Sequence, residues 1–356
     1  MNKHAEPFYI TRPVTVKPNY RYPQADILRY MQAKAGIAEG RVLQSLFRHS
    51  GIGHRYSVLP DFGGLTSGDG INRKTVEERM AIYKAEALSI GLDLVSKFDD
   101  LQKVTHLVWV SCTGLSAPGM ELSLKAKCGF GPDVETTAFN FLGCHGFFHA
   151  LKYAGLVARS NPENLVMVVC VELCTLHFQE NTCSDQWLAN TIFGDGGAAV
   201  LVTALQPQTP SLEVELQKSY LFSGDEHAMG WDIGSHGFNM VLSQDLPAKV
   251  GGIIYDSVCN LLANRTTPDD AIRFWLCHPG GSKILDYIGK ALALSGSDIR
   301  WSYQVLHEVG NVSSASILYV MEAFLESTDY QNEDEGVLLG LGPGLSLESA
   351  LVRLKK

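Results

Sequence analysis

The chain has 356 residues, of which 46% are hydrophobic and 19% charged, and its formal net charge at pH 7 is −9. The length predicts two fused halves, and the acidic balance excludes a nucleic-acid-binding surface. The N-terminus lacks an apolar targeting segment, no window holds 18 uninterrupted apolar residues, and the eight cysteines lack regular spacing. We therefore expect a cytoplasmic protein that binds neither nucleic acid nor a membrane.

Hydrophobic periodicity predicts alternating helices and buried strands through the first half of the chain. The predicted helices cover residues 75–98, 119–127, 144–160 and 187–192. The predicted strands cover residues 106–112, 136–142, 164–172 and 196–204. This order of elements is typical of an α/β fold.

Two prolines, Pro207 and Pro210, interrupt the pattern and mark a boundary between the halves. We predict an N-terminal half over 1–208 and a C-terminal half over 209–356. The second half is predicted to contain strands at 213–222, 239–242 and 273–277 and helices at 248–263, 282–294 and 299–308, with a further helix opening after residue 310.

A cysteine stands where one of these helices begins. Cys144 follows Gly143 and the predicted strand at 136–142. The free N–H groups and positive dipole end of a helix N-terminus favour a thiolate, so we predict a thiol pKa below the ordinary value of about 8.5. A buried, inert cysteine is the alternative.

The second half repeats this arrangement with an asparagine. Asn311 follows Gly310 and lies 167 residues after Cys144. Between them, His278 comes directly after the predicted strand at 273–277. Two matching helix starts indicate an internal duplication, with a histidine available to join the cysteine and the asparagine.

Five short motifs, taken together, identify a resemblance. They are Gly143-Cys144, Phe193-Gly194-Asp195-Gly196, His278-Pro279-Gly280-Gly281, Gly310-Asn311-Val312-Ser313-Ser314 and Gly340-Leu341-Gly342-Pro343-Gly344. From about residue 10 to the C-terminus the chain resembles the type III polyketide synthases of the chalcone-synthase-like group, within the thiolase superfamily. The resemblance implies a five-layered αβαβα thiolase-like fold built from two pseudo-duplicated halves, and a homodimer.

The resemblance also implies a reaction. Cys144 would take an acyl starter from an acyl-CoA as an enzyme thioester, and His278 would pair with the thiolate. His278 and Asn311 would bind the thioester oxygen of malonyl-CoA while CO2 leaves. Repeated rounds would give a poly-β-keto chain that cyclises, with no metal and no cofactor beyond the CoA thioesters.

By the same resemblance, ten residues line the substrate pocket: Thr113, Cys174, Leu176, His177, Phe193, Trp231, Phe238, Met240, Ser313 and Leu341. Several differ from the plant enzymes, because Met240 replaces a phenylalanine, His177 a threonine and Trp231 a glycine. The product expected is therefore a pyrone, a resorcinol or a phloroglucinol rather than a chalcone.

An acidic chain needs local cations to bind CoA, and the candidates are Arg48, Arg55 and Lys283. His145 and His149 share a helix face beside the nucleophile, but without an acidic partner they do not predict a metal site.

Two alternatives remain open. An initiating β-ketoacyl-acyl-carrier-protein synthase shares the order of cysteine, histidine and asparagine, although that group carries His-Gln-Ala-Asn where this chain has His278-Pro279-Gly280-Gly281. A catalytically silent partner with the same fold is the non-enzymatic alternative.

Overall fold

The computed structural model describes residues 6–61, 70–180, 184–222, 226–242, 246–263 and 272–356. In these ranges the strands are β1 (Phe8–Thr11), β2 (Val14–Val16), β3 (Tyr20–Pro23), β4 (His54–Ser57), β5 (His106–Ser111), β6 (Glu135–Asn140), β7 (Leu165–Leu173), β8 (Asp195–Thr203), β9 (Ser211–Leu221), β10 (Met229–Gly234), β11 (Gly237–Leu242), β12 (Phe274–Cys277), β13 (Glu335–Gly342) and β14 (Ser346–Lys355). The helices are α1 (Gln24–Lys34), α2 (Ile37–Arg48), α3 (Val76–Val95), α4 (Met120–Lys127), α5 (Gly146–Ser160), α6 (Ser184–Ile192), α7 (Leu246–Ala263), α8 (Ser282–Ala291), α9 (Arg300–Val309) and α10 (Ser316–Leu325). The predicted α/β architecture is confirmed.

A ten-stranded sheet organises the molecule. Its hydrogen-bonded path runs β12-β13-β14-β9-β1-β8-β7-β5-β6, and β2 also pairs with β8. β9 connects its two sides, because it pairs with β14 and with β1. β5 runs parallel to β6 and β7, and β12 runs parallel to β13. The carboxyl ends of these parallel strands are where functional side chains are expected to emerge.

The core covers both faces of the sheet. β7 is buried from its second residue onward, as predicted for a strand covered on both faces. α5 packs on the sheet with Leu151, Ala154 and Ala158 fully buried. A side chain at Gly155 would place its Cβ 2.5 Å from a ring carbon of Phe8 in β1, so only glycine permits this close packing.

The two halves share an unusual backbone turn. Gly143 and Gly310 have φ values of 75° and 74°, in the left-handed region that favours glycine. Gly143 opens the 3₁₀ turn Gly143–His145, which leads directly into α5, and Gly310 lies three residues before the turn Ser313–Ala315, which leads into α10. The glycine turn ahead of a helix therefore recurs, although the glycines are 167 residues apart and the helix starts 170, and duplication of the whole half stays a prediction.

The pairing of the hairpin and the course of the glycine-rich motif were not predicted. β10 and β11 form a two-stranded hairpin apart from the main sheet. The segment that contains the glycine-rich motif at 340–344 forms the end of β13 and its turn into β14. No helix in the described part of the chain is long and apolar enough to cross a membrane.

Candidate active site

Cys144 lies in a tight turn between a sheet edge and a helix. The chain leaves β6 at Asn140, makes the 3₁₀ turn Gly143–His145 and enters α5. A Cβ at Gly143 would lie 2.5 Å from Pro343, so the glycine allows the loop after β13 to pack over the turn. The cysteine is 9% exposed at this junction.

His278 follows the carboxyl end of β12. Its backbone N–H donates to the carbonyl of Leu339 at 2.7 Å, which continues the pairing with β13, and its carbonyl accepts from Gly280 N–H at 2.9 Å. The imidazole is buried, yet neither ring nitrogen has a hydrogen-bond partner in the described part of the chain. Since buried polar atoms are normally satisfied, this ring is available for a ligand.

The side chain of Asn311 is held in one orientation. Its Oδ1 accepts from Ser313 N–H at 2.8 Å and from Ser316 Oγ–H at 3.3 Å. The Nδ2 group therefore faces the other way, 3.9 Å from Cys144 Sγ and 3.4 Å from the carbonyl of Gly280. The amide donor therefore points at Cys144 and at the turn that follows His278.

The Phe193–Gly196 motif supports Asn311 through its backbone. Gly194 N–H donates to Asn311 O at 3.0 Å, and Asn311 N–H donates to Ile192 O at 2.9 Å. A Cβ at Gly194 would lie 2.9 Å from Val309 O, and one at Gly310 would lie 2.8 Å from Ile192 O. Glycine at both positions allows the two backbones to approach.

Cys144, His278 and Asn311 face one cavity of about 430 Å³, which has a largely apolar lining. Of the predicted pocket residues, four line it: Phe193, Trp231, Met240 and Leu341. Trp231 and Met240 are direct cross-strand partners in the β10–β11 hairpin. Lys283 is exposed and lines the same cavity, together with α2 residues.

The other six predicted pocket residues lie outside this lining: Thr113, Cys174, Leu176, His177, Phe238 and Ser313. Cys174 and His177 instead border a small void of about 10 Å³ with Phe193 and Trp231. Trp231 and Phe193 therefore stand between the cavity and this void.

The assignment of Thr113 to the pocket is wrong. Its hydroxyl donates to Glu172 at 2.9 Å, so the side chain points into the protein. Its neighbour Cys112 is buried behind the site and is linked to it indirectly, because Cys112 Sγ lies 3.0 Å from Ser313 Oγ, whose hydroxyl also hydrogen-bonds Cys144. Its position directly after the carboxyl end of β5 is the sequence signal for this contact.

His177 is a structural histidine. Its Nε2–H donates to Thr113 O at 2.7 Å, its Nδ1 accepts from Phe238 N–H at 3.1 Å, and its ring stacks on Phe238. Burial lowers its pKa to about 3, so it stays neutral at physiological pH. Both ring nitrogens of His177 therefore make hydrogen bonds to the backbone, which fix the segment that packs behind Trp231.

Arg55 does not belong with the CoA-binding candidates, and that prediction is wrong. The residue is 1% exposed. Its Nη1 donates to Phe193 O at 2.6 Å and its Nε to Gln24 Oε1 at 3.0 Å. Arg55 braces the Phe193 segment from inside, whereas Arg48 is exposed at the end of α2.

The prediction that the helix position lowers the pKa of Cys144 is also wrong. Burial raises the pKa of the thiol to about 11, against smaller opposing contributions from hydrogen bonds with Ser313 and Asn311. Burial likewise lowers the pKa of His278 to about 3. Both groups therefore rest in their neutral forms.

The pair His145 and His149 has an acidic neighbour that was not predicted. His149 Nε2 lies 3.6 Å from Glu348 Oε1, and Lys152 binds the same carboxylate. His145 packs against Gly342, where a Cβ would overlap its ring. Within the described ranges no three histidine, cysteine or acidic side chains are grouped as metal ligands would be.

Comparison with known proteins gives a consistent result. The family model for the N-terminal domain of chalcone and stilbene synthases matches residues 44–206, and that for the C-terminal domain matches residues 213–355. The chain is 31% identical to 1,3,6,8-tetrahydroxynaphthalene synthase from Streptomyces peucetius subsp. caesius, covering 95% of this chain and 91% of the relative. It is 29% identical to 3,5-dihydroxyphenylacetyl-CoA synthase from Amycolatopsis balhimycina, covering 93% and 89%.

Solved structures resemble the chain over nearly its whole length. The C-terminal type III polyketide synthase domain of Steely1, a type I/III hybrid from Dictyostelium, has a TM-score of 0.90 at 26% identity, covering 98% of this chain and 99% of that one. The 1,3,6,8-tetrahydroxynaphthalene synthase from Streptomyces coelicolor A3(2) has a TM-score of 0.90 at 24% identity, with the same coverage.

Proposed function

The chain belongs to the chalcone and stilbene synthase family and is a type III polyketide synthase with a thiolase-like fold; from this we propose that Cys144, His278 and Asn311 carry its loading, decarboxylation and condensation steps. The observation that supports these roles is that all three side chains line the same 430 Å³ cavity, with Asn311 Nδ2 3.9 Å from Cys144 Sγ. The proposed steps use CoA thioesters and these side chains alone.

Loading requires a base. With a thiol pKa of about 11, only about one Cys144 in 10⁴ is ionised at pH 7 by loss of its proton to solvent. Transfer of that proton to His278 instead creates a thiolate and an imidazolium that attract each other, which offsets the cost of burying each charge. The thiolate attacks the carbonyl carbon of the acyl-CoA, and His278 returns the proton to the departing CoA thiol.

Decarboxylation requires hydrogen-bond donors at one oxygen. The Asn311 Nδ2 group and a neutral His278 N–H donate to the thioester oxygen of malonyl-CoA. The electrons of the bond to the carboxylate move into the thioester as CO2 leaves, so negative charge develops on that oxygen. The low pKa of His278 suits this role, because a neutral ring offers a fixed N–H without protonating the enolate.

Condensation completes the cycle. The enolate carbon attacks the acyl carbon on Cys144, the new C–C bond forms, and the cysteine leaves as thiolate. The product is a β-ketoacyl-CoA two carbons longer, which can reload Cys144 for another round. The largely apolar lining of the cavity keeps water from the thioester and from the reactive polyketone.

The cavity supports a compact product, for which we propose a pyrone, a resorcinol or a phloroglucinol. The indole of Trp231 lies with its ring centroid 5.6 Å from that of Phe193 and 6.2 Å from that of His177, so aromatic rings close the inner wall. Mass spectrometry of products from malonyl-CoA with a series of acyl-CoA starters tests this proposal. A released product of another class would contradict the proposed product. Failure to release CO2 from malonyl-CoA with every starter would contradict the decarboxylation step itself.

Trimming the inner wall is expected to lengthen the product. Trp231 borders both the main cavity and the small void behind it, so Trp231→Gly joins the two spaces. We expect at least one additional malonyl unit, or a larger accepted starter, in the product masses. Trp231→Phe keeps an aromatic ring in the wall and serves as the control. An unchanged product distribution in a folded, active Trp231→Gly protein would show that this residue does not bound the cavity.

For CoA, we propose contacts from Lys283 and Arg48. Lys283 lines the mouth of the cavity, and Arg48 lies at the end of α2 beside His49, another lining residue. Both cations are exposed and suited to phosphate groups.

A homodimer is also part of the proposal. β6 forms one end of the sheet, so its outer backbone edge is free of strand partners among the described residues. Two large apolar side chains near it, Leu115 and Leu122, are 42% and 46% exposed. Exposed strand edges are usually covered, and a second copy of the chain fits this one. Light scattering should give twice the chain mass of 38.9 kDa, and Leu115→Glu/Leu122→Glu should lower it; a single-chain mass for the wild type would contradict the dimer.

A further inference from the structure

The outer face of α2, beside the cavity mouth, carries a basic and apolar stripe. Ile37, Arg41 and Arg48 are spaced four and seven residues apart, which places them on one side of the helix. Ile37 is 86% exposed, the highest value among the large hydrophobic side chains of the described residues. We call these three residues the α2 stripe.

The two arginines of the α2 stripe have no ion-pair partner among the described residues of the subunit. In the described part of the chain neither Arg41 nor Arg48 makes an ion pair or a side-chain hydrogen bond, and both are exposed. The chain has 38 acidic against 29 basic residues, so two unpaired arginines on one helix face form a distinct positive surface.

The α2 stripe adjoins the mouth of the active-site cavity. Val42, Leu46 and His49, on the next side of α2, line the cavity, and Ser45 lies between them and the stripe. Val42 is itself 47% exposed at the rim. The inner side of the helix is formed by Leu43 and Phe47, which are buried. Whatever delivers an acyl group through this mouth passes beside the stripe.

The geometry points to an acidic carrier protein as an acyl donor, an inference that rests on the proposed loading of Cys144. The donor thioester must reach the cysteine on a thin arm, and phosphopantetheine is such an arm in both CoA and carrier proteins. The two donors differ in the group at the far end of this arm, which stays at the mouth of the cavity: a nucleotide in CoA, and a folded protein in the carrier. A nucleotide makes no use of an isoleucine on the protein surface, whereas a protein helix with acidic and apolar side chains complements both parts of the α2 stripe.

The spacing supports a helical partner. Arg41 and Arg48 are seven residues apart, or about 10 Å along the axis of α2. Two acidic side chains separated by two turns of a partner helix span the same distance, with an apolar contact to Ile37 alongside. Binding of this kind raises the local concentration of the arm at the mouth without any new contact at Cys144.

The test compares three hexanoyl donors: hexanoyl-CoA, hexanoyl-pantetheine and a bacterial fatty-acid acyl carrier protein charged with hexanoyl-phosphopantetheine. The readout is the rate at which the hexanoyl adduct appears on Cys144 in intact-protein mass spectra. We expect the carrier protein to load Cys144 at least tenfold more efficiently, in kcat/KM, than pantetheine. This advantage should shrink as salt is added, because exposed charges are screened.

Variants locate the effect. Ile37→Ser/Arg41→Glu should remove the carrier-protein advantage and leave loading from pantetheine unchanged. The matched control is Leu205→Ser/Lys103→Glu, which alters an exposed leucine just after β8 and an exposed lysine just before β5, at the amino ends of the parallel strands β5 and β7. The control should behave as the wild type does.

Three results would overturn the inference: no advantage for the carrier protein, an advantage that survives Ile37→Ser/Arg41→Glu, or a change of oligomer mass in that variant, which would assign the α2 stripe to contacts between copies of the chain. If hexanoyl-CoA acylates Cys144 and the product is extended, the proposed function stands even when the carrier protein fails. If no donor acylates Cys144, the proposed function fails and the inference fails with it.

Discussion

Cys144→Ala is expected to abolish polyketide formation, lowering the condensation rate by about 10³-fold or more. The growing chain has no other attachment point, since Cys174 and Cys112 are fully buried thiols whose pKa is raised well above the ordinary value by burial. Intact-protein mass spectra after incubation with an acyl-CoA should show one adduct on the wild type and none on the variant.

The matched control for this experiment is Cys174→Ala. Cys174 lies outside the main cavity, next to the small void, so its removal should leave the adduct in place. An adduct that persists on Cys144→Ala, or one that maps to Cys174 in the wild type, would remove Cys144 from its role as nucleophile.

His278→Ala is expected to slow alkylation of Cys144 by iodoacetamide at pH 7 by about 10²-fold. Without the imidazole the thiol can lose its proton only to solvent, and its pKa is raised by burial to about 11. The fraction of thiolate in the variant should therefore rise about tenfold per pH unit up to that value.

The pH dependence of the two alkylation rates distinguishes a base from a merely structural role for His278. As the pH approaches about 11, hydroxide ionises the thiol without help from His278, so the rates of the wild type and His278→Ala should converge. A second alkylating agent, acrylamide, should give the same convergence. A rate ratio near one at pH 7, or a ratio that does not change with pH, would show that the histidine does not act as the base for this cysteine.

Sequence motifs alone selected Cys144, His278 and Asn311, and all three side chains line one cavity, while their catalytic roles stay a proposal. Each stands in a motif with glycines, and the structure gives the physical reason for two of them. Gly143 leaves room for Pro343, and Gly310 leaves room for Ile192 O and the side chain of Arg55. Such contacts tolerate no Cβ, so glycine is required at both positions, and the short motifs that contain these glycines can be recognised in the sequence.

The lining of the pocket could not be obtained in the same way. Thr113, just after β5, was expected in the lining, but its hydroxyl donates to the buried Glu172 and the residue lies outside the cavity. Trp231 and Met240 meet only because the register of the β10–β11 hairpin pairs them. Register and pairing depend on contacts far apart in the chain, which hydrophobic periodicity does not contain.

The electrostatics of the site depend on packing for the same reason. A helix N-terminus favours a thiolate, but burial of Cys144 acts in the opposite direction and is the largest contribution to its pKa. Arg55 illustrates the same limit, since its charge suggested a surface ligand while its side chain supports Phe193 O from within. Local sequence indicates which ionisable group is present, and tertiary packing decides its exposure and its pKa.

The most direct test of the central claim is product mass spectrometry with malonyl-CoA in which all three malonyl carbons are ¹³C, together with an unlabelled acyl-CoA starter. If Cys144 carries repeated decarboxylative extension, the product mass should rise by two labelled carbons per round, with the third carbon of each malonyl group recovered as labelled CO2. Several rounds should appear in one released product, and none should appear with Cys144→Ala. A wild-type product that stops after one extension, or that carries no malonyl carbon, would contradict the assignment of iterative chain extension to this site.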